Sequence, residues 1–117
     1  METDQFDLYQ QMQDKVHDLD VSVRLLRKNG NALAEAQRDY NVLLASKALK
    51  LRSQEMPIGL IQLTIKGDRE VADARLKRDC AQVMYDANKD HINATKLELR
   101  LLEASLEREW GQAGSAT

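Results

Sequence analysis

Apolar residues recur every three or four positions along most of the chain, which is the pattern of amphipathic helices. In the first segment they step by four and three as a heptad seam, and the seam residues are Met12, Val16, Leu19, Val23 and Leu26. This pattern predicts a helix over about residues 4–28. Asn29, Gly30 and Asn31 then predict a stop and a restart, because glycine suits the residue after a helix and asparagine can cap the next one.

A second predicted helix covers about 32–54 and ends before Pro57, the chain's only proline. Residues 57–66 read as a short helix, although their β-branched residues leave a strand as the alternative. Gly67 should stop this segment and Asp68 should cap the next. The last helix is predicted over about 69–110, roughly 60 Å at the usual rise per residue.

The long last helix carries its own apolar seam, formed by Ile92, Thr95, Leu99, Leu102 and Leu106, with Trp110 at its end. Two helices of about 25 residues cannot cover a helix of that length, so this seam indicates self-association. The predicted fold is therefore all-α: an antiparallel helical bundle with one very long C-terminal helix, completed by homo-oligomerisation. Residues 1–111 would form a single helical domain, and 112–117, small and polar, a disordered tail.

Charge changes this picture, because it is unevenly distributed. The net charge is −5 over residues 1–23, +6 over 24–78 and −3 over 79–117, for −2 in total. A basic middle segment can attract an anionic ligand. The alternative is that these charges only solvate helix surfaces.

The seam of the last helix, extended backwards, leads to the candidate site. It passes through Asn88, Tyr85, Ala81, Arg78, Ala74 and Val71. An arginine on an apolar seam needs a partner or access to water. We therefore expect a pocket that binds an anion through arginine, lysine and the first amides of the last helix, with tyrosines as stacking surfaces. Its predicted residues are Arg38, Tyr40, Lys47, Arg75, Arg78 and Tyr85. The alternative is ordinary ion pairing, of Arg78 with Asp39 or Asp79 and of Arg75 with Asp79.

Signatures of catalysis are absent from the sequence. His17 and His91 fall on different predicted helices, at no metal-ligand spacing, and are expected at the surface. Cys80, the single cysteine, is expected to be a small core residue and excludes an internal disulfide. We expect no enzyme activity, no cofactor and no metal.

The expected location is the cytoplasm. Acidic residues follow Met1, so we expect no signal peptide, and no run of 18 apolar residues would span a membrane. The negative net charge argues against duplex DNA as a partner, whereas a single-strand contact through the basic middle stays open.

About two thirds of the chain, from about Ala34 to Trp110, resembles a family of small helical proteins of unassigned function from phages and prophages of Firmicutes. The resemblance rests on "AEAQRDY", "LRSQEMP", "VADARLKRD", "INATKLELRLLE" and "EREW". It implies a protein made in the host cytoplasm during infection. The residues of this chain that match the family pattern are Arg38, Tyr40, Arg52, Pro57, Gly67, Arg75, Arg78, Asp79, Tyr85, Asn93, Lys96 and Arg100.

Small phage proteins often counter host defence, and one strategy is to sequester nucleotide immune signals in basic pockets of a compact oligomer. By analogy, the chain is expected to be an anti-defence binding protein for a nucleotide-like anion. The alternative is a protein-interaction factor that inhibits a host defence enzyme or assists phage recombination or replication. Under that hypothesis the acidic first segment would contact a basic protein partner.

Overall fold

The computed structural model describes the backbone of residues 2–115 and the side chains of residues 5–111. It contains three helices, α1 (Glu2–Ser53), α2 (Ile58–Gly67) and α3 (Arg69–Ser115), and no strand among the described residues. The all-α prediction is confirmed, and the strand alternative for 57–66 is wrong. None of these helices is both long and apolar enough to cross a membrane within the described residues.

The predicted break at residues 29–31 is wrong, because α1 passes through it without interruption. Gly30 keeps a helical backbone, since no glycine among the described residues has a positive φ. A Cβ atom at this position would lie 3.4 Å from Cε2 of Tyr85. The ring of Tyr85 therefore packs against the helix beside Gly30, and the glycine does not end the helix.

The turn between α1 and α2 has the hydrogen bonds of a Schellman motif. The N–H of Met56 donates to the carbonyl of Leu51 over 3.2 Å, and the N–H of Glu55 donates to that of Arg52 over 3.0 Å. The backbone of Glu55 adopts the left-handed conformation, with φ of 64°. Because Leu51 and Met56 both pack against the neighbouring core, this turn fixes where α2 begins.

The turn between α2 and α3 is capped by Asp68, as predicted. Its Oδ1 accepts the N–H of Val71 over 3.1 Å. This hydrogen bond is the main cause that lowers the pKa of Asp68; partial burial opposes the shift, and nearby Lys47 adds to it. The cap gives α3 a defined first turn directly after Gly67.

The chain divides into two compact units. The central unit comprises Lys28–Asp86. Its core is formed by the buried Ile61, Ile65 and Val71. Six partly buried residues pack around them: Tyr40, Leu43, Leu44, Ala48, Leu51 and Met56. The short helix α2 thus supplies two of the three buried side chains in this core.

The terminal unit comprises Met1–Arg27 and Ala87–Thr117. Lys15 pairs with Glu98, Asp18 Oδ2 lies 3.1 Å from His91 Nε2, and Asn88 Nδ2 donates to the carbonyl of Ser22 over 3.0 Å. These contacts run in opposite order along the two segments, so the segments are antiparallel within this unit. The hydrogen bond with Glu98, together with the attraction of its charge, raises the pKa of Lys15.

Much of the predicted seam of α3 is confirmed in the terminal unit. Ile92, Thr95 and Leu106 are buried there, and the Thr95 hydroxyl donates to the carbonyl of His91 over 2.8 Å. Trp110, predicted at the end of the seam, is 60% exposed. Because this seam is already covered within the chain, it cannot be the reason for self-association that the sequence suggested.

Three further expectations need correction. Val16 and Val23, predicted to lie on the seam of the first helix, are exposed. The polar residues that precede them, Lys15 and Ser22, lie on the inner face instead, together with Met12, Leu19 and Leu26. Cys80 is exposed, not a core residue. Helix α3 continues to Ser115, so the predicted disordered tail is helical over 112–115. Residues 116 and 117 lie outside the described residues.

Candidate functional site

A groove of about 890 Å³ lies in the central unit. We call it the basic groove. Its apolar surface comes from two helices: Leu44, Ala45, Ala48 and Leu49 of α1, and Ile58, Ile61 and Ile65 of α2. Both sets recur every three or four residues, so each helix turns one face to the groove. The short α2 forms one wall because the Schellman turn directs it back along α1.

Three cationic side chains line the same groove: Arg52, Lys66 and Arg75. The described residues that line it include no aspartate, glutamate, histidine or cysteine. Arg52 comes from the end of α1, Lys66 from the last turn of α2 and Arg75 from α3, so each helix contributes one cation. The groove therefore combines an apolar surface with three positive charges.

Tyr40 and Arg78 are brought together, as the sequence predicted. The guanidinium carbon of Arg78 lies 4.4 Å from the centroid of the Tyr40 ring, a cation–π contact. The same guanidinium donates to Asp79 Oδ1 from Nη2 over 2.9 Å and from Nε over 3.0 Å. The ion-pair alternative for Arg78 is thus present as well, and the arginine holds the ring of Tyr40 at the groove.

Lys47 lies among the lining residues of a smaller, second cavity and not among those of the basic groove. Its Nζ is 3.5 Å from Asp68 Oδ2 and 3.6 Å from Glu70 Oε2. The sequence placed Lys47 on the apolar face of its helix, but the two acids that begin α3 neutralise it. Its role in the structure is to join α1 to the start of α3.

Arg38 and Tyr85 are also absent from the groove lining. Arg38 is exposed, and its Nε and Nη2 both lie 3.2 Å from Asp39 Oδ1. Tyr85 packs its ring edge beside Gly30. Of the six predicted site residues, Tyr40 and Arg75 therefore line the groove, and Arg78 touches it through Tyr40.

Sequence reasoning did not assign Arg52 and Lys66 to the site, nor the amides Asn41 and Gln62, although all four line it. The available indication was spacing: Arg52 follows Ala48 and Lys66 follows Gln62 by one helical turn. Arg52 extends the apolar face of α1, and Lys66 follows Ile58 and Gln62 of α2 at steps of four residues. That pattern could have placed them on one surface.

The arrangement offers binding contacts: charge, amide hydrogen bonds, an aromatic ring and apolar surface. Among the described residues there is no cluster of three metal-ligating side chains. No buried side-chain polar atom in this part of the chain lacks a partner. The groove chemistry therefore suits recognition of a molecule that has both an anionic and an apolar part.

Comparison with protein-family models found no matching family, and comparisons with curated proteins and with solved structures found no match to this chain.

Proposed function

We propose that the chain is a non-enzymatic binding protein whose basic groove takes an anionic, nucleotide-like ligand. The observation that carries this proposal is the lining of the groove: three cations and a tyrosine, without an acidic side chain among the described residues. The volume also falls within the range of about 300–1,000 Å³ that small-molecule sites occupy.

The ligand's phosphate would contact Lys66 and Arg75, which both line the groove. Arginine presents a planar fork that matches phosphate oxygens, and lysine adds a point charge. A base or another flat apolar group would lie along Leu44, Ala48 and Ile61. Asn41 and Gln62 would supply donors and acceptors for its edge.

A titration with N-methylanthraniloyl-labelled nucleotides tests this proposal. Wild-type protein should bind at least one labelled mononucleotide, dinucleotide or cyclic nucleotide. The double variant Arg75→Ala/Lys66→Ala should bind it at least about 100-fold more weakly, since each of the two lost charged hydrogen bonds contributes about 1.5–3 kcal/mol. Arg38→Ala is the matched control, because it removes an exposed arginine outside the groove, and its affinity should stay within about twofold of wild type.

Absence of binding to all three nucleotide classes, or equal losses in the double variant and the control, would contradict the groove assignment. Circular dichroism of each variant separates loss of a contact from loss of fold.

The resemblance to phage-encoded proteins suggests that this binding takes place during phage infection of a host cell. In that setting the ligand is a nucleotide signal of host defence, and the protein sequesters it in the host cytoplasm during infection. Sequestration needs tight binding and no turnover, which agrees with a groove that offers only binding contacts.

A second candidate function is protein interaction through the acidic first segment. Residues 1–23 carry a net charge of −5. On that segment Phe6 is 65% and Tyr9 50% exposed, a combination that suits a basic partner with an apolar patch. Deleting the segment would uncover the core of the terminal unit, so point variants give the cleaner test.

Phage plating on a defended host distinguishes the two functions. Under the second function, Asp7→Asn/Asp14→Asn should lose protection of the phage while nucleotide binding stays intact. Under the first, Arg75→Ala/Lys66→Ala should lose both. Glu103→Gln/Glu107→Gln serves as the charge-matched control, because it removes two acids from α3.

A further inference from the structure

Helix α3 carries a second apolar stripe on its solvent face. Its members step by four and three residues and all are exposed: Leu76, Cys80, Val83, Ala87, Asp90, Ala94, Leu97, Leu101 and Ala104. The four large apolar side chains are exposed by 63% at Leu76, 66% at Val83, 56% at Leu97 and 60% at Leu101. Asp90 is the single charge in a stripe of about four heptads. Such a repeat is the pattern by which one helix packs against another.

This stripe lies opposite the buried seam of the same helix. Each member follows a seam residue by two positions, about 200° around the helix. A helix on a protein surface normally has a polar outer face. Helix α3 is instead apolar on both faces, so its outer face lacks the cover that its inner face has.

Helix α1 shows the normal pattern at the equivalent positions. Two residues after each of its seam positions stand Gln10, Asp14, His17, Val21, Arg24, Lys28, Asn31, Glu35 and Arg38. Only Val21 is apolar. The outer stripe of α3 is therefore not a general property of these helices, and α1 offers no matching apolar heptad face there.

We infer that the outer stripe of α3 packs against the same stripe of a second copy of this chain, with the two helices antiparallel. In this register Leu76 faces the partner's Leu101, Cys80 faces the partner's Leu97, and Val83 faces the partner's Ala94. The interface is isologous, since each contact occurs twice.

Charge complementarity selects this direction and register. On one flank Lys77 lies opposite the partner's Glu98, and on the other Asp79 lies opposite the partner's Arg100. Glu98 and Asp79 already pair with Lys15 and Arg78, but both are about half exposed and can accept a second cation. A parallel, in-register pair would bring neither of these ion pairs together.

The lone cysteine allows a direct test. In the proposed register Cys80 faces position 97 of the partner, so Leu97→Cys creates a reactive pair across the interface. Within one chain the two positions are 17 residues apart on one helix, roughly 25 Å, which bismaleimidoethane cannot span. At low micromolar concentration, Leu97→Cys should give a covalent dimer on a denaturing gel.

Two controls isolate the register. Wild type, with Cys80 alone, and the variant Cys80→Ser/Leu97→Cys should both remain monomeric on the gel, because like positions lie far apart in an antiparallel pair. Light scattering should show a dimer for wild type and a monomer for Val83→Glu/Leu101→Glu, with helical circular dichroism retained.

Efficient cross-linking of wild type would mean a parallel pair and would overturn the proposal. So would a failure of Leu97→Cys to cross-link above the controls, or a monomeric wild type by light scattering. None of these readouts depends on nucleotide binding, so the interface and the proposed function can fail separately.

Discussion

The backbone of Glu55 is held by its neighbours in a conformation that a non-glycine residue disfavours. It is the one non-glycine residue with a positive φ among those described, at the position of the Schellman turn that glycine usually occupies. An L-residue in this region costs about 1–2 kcal/mol. The turn persists because Leu51 and Met56 on either side are held in the core of the central unit.

Glu55→Gly should therefore stabilise the protein. We expect the free energy of unfolding to rise by up to about 1 kcal/mol, since glycine removes the strain but adds freedom to the unfolded chain. Urea denaturation followed by circular dichroism measures the change. Gln54→Gly, at a neighbouring position without positive φ, should lower stability instead, and a gain there as well would contradict this account.

A second prediction at the residue scale concerns how the stability contributed by Asp68 depends on pH. The N–H of Val71 lowers the folded-state pKa of this carboxyl below its value of about 3.9 in an unfolded chain. Its contribution to stability is therefore complete above that value and is lost as the pH falls through the lower, folded pKa.

Asp68→Asn tests this directly, because asparagine can still cap the helix but does not titrate. Wild type should have the higher melting temperature at pH 6, and the difference should shrink as the pH falls towards 3. A difference independent of pH would show that the ionised carboxylate is not what stabilises the turn.

At the scale of elements, heptad periodicity predicted α3 well and α1 less well. Two apolar frames compete in α1, one through Met12, Leu19 and Leu26 and the other through Val16 and Val23. The protein partly buries the first frame together with the polar Lys15 and buries Ser22, and α3 contacts these two positions: Glu98 pairs with Lys15, and Asn88 donates to the backbone carbonyl of Ser22. Sequence pattern alone could not decide this, since it does not show which polar residues find partners.

The break predicted at Gly30 fails for a related reason. Local preference favours a helix end there, but the cost of a helical glycine is only about 1 kcal/mol. The seam continues on both sides through Leu26 and Leu33, and the ring of Tyr85 occupies the space beside Gly30. Packing along the whole helix therefore outweighs one unfavourable residue.

Substitutions at Gly30 test this explanation. Gly30→Ala should raise the free energy of unfolding by up to about 1 kcal/mol, because alanine has the higher helix propensity and its Cβ would lie 3.4 Å from the ring, which leaves room for it. Gly30→Leu should lower it by about 1–3 kcal/mol, because the longer side chain runs into the ring. The matched control is Gly59→Leu, where nothing lies within 4 Å of a Cβ. Equal effects of leucine at both positions would contradict the packing of Tyr85 beside α1.

At the scale of the whole molecule, the sequence located the basic charge but not how it is used. Arg75 and Tyr40 line the groove as predicted, whereas Lys47 is taken up by Asp68 and Glu70 at the start of α3. Arg52 and Lys66 enter because the turn at Glu55 sets α2 alongside α1. Turn geometry and acidic neighbours decide which cations remain available to a ligand. The net charge of a segment reveals neither of these two factors.

The central claim is that the basic groove holds an anionic ligand through Arg75 and Lys66. Native mass spectrometry of the protein, gently purified from a phage-infected bacterial host, tests it most directly. We predict a discrete small-molecule adduct on wild type and on Arg38→Ala, absent from Arg75→Ala/Lys66→Ala. Adduct-free wild-type protein, or an adduct that the double variant retains, would contradict the claim.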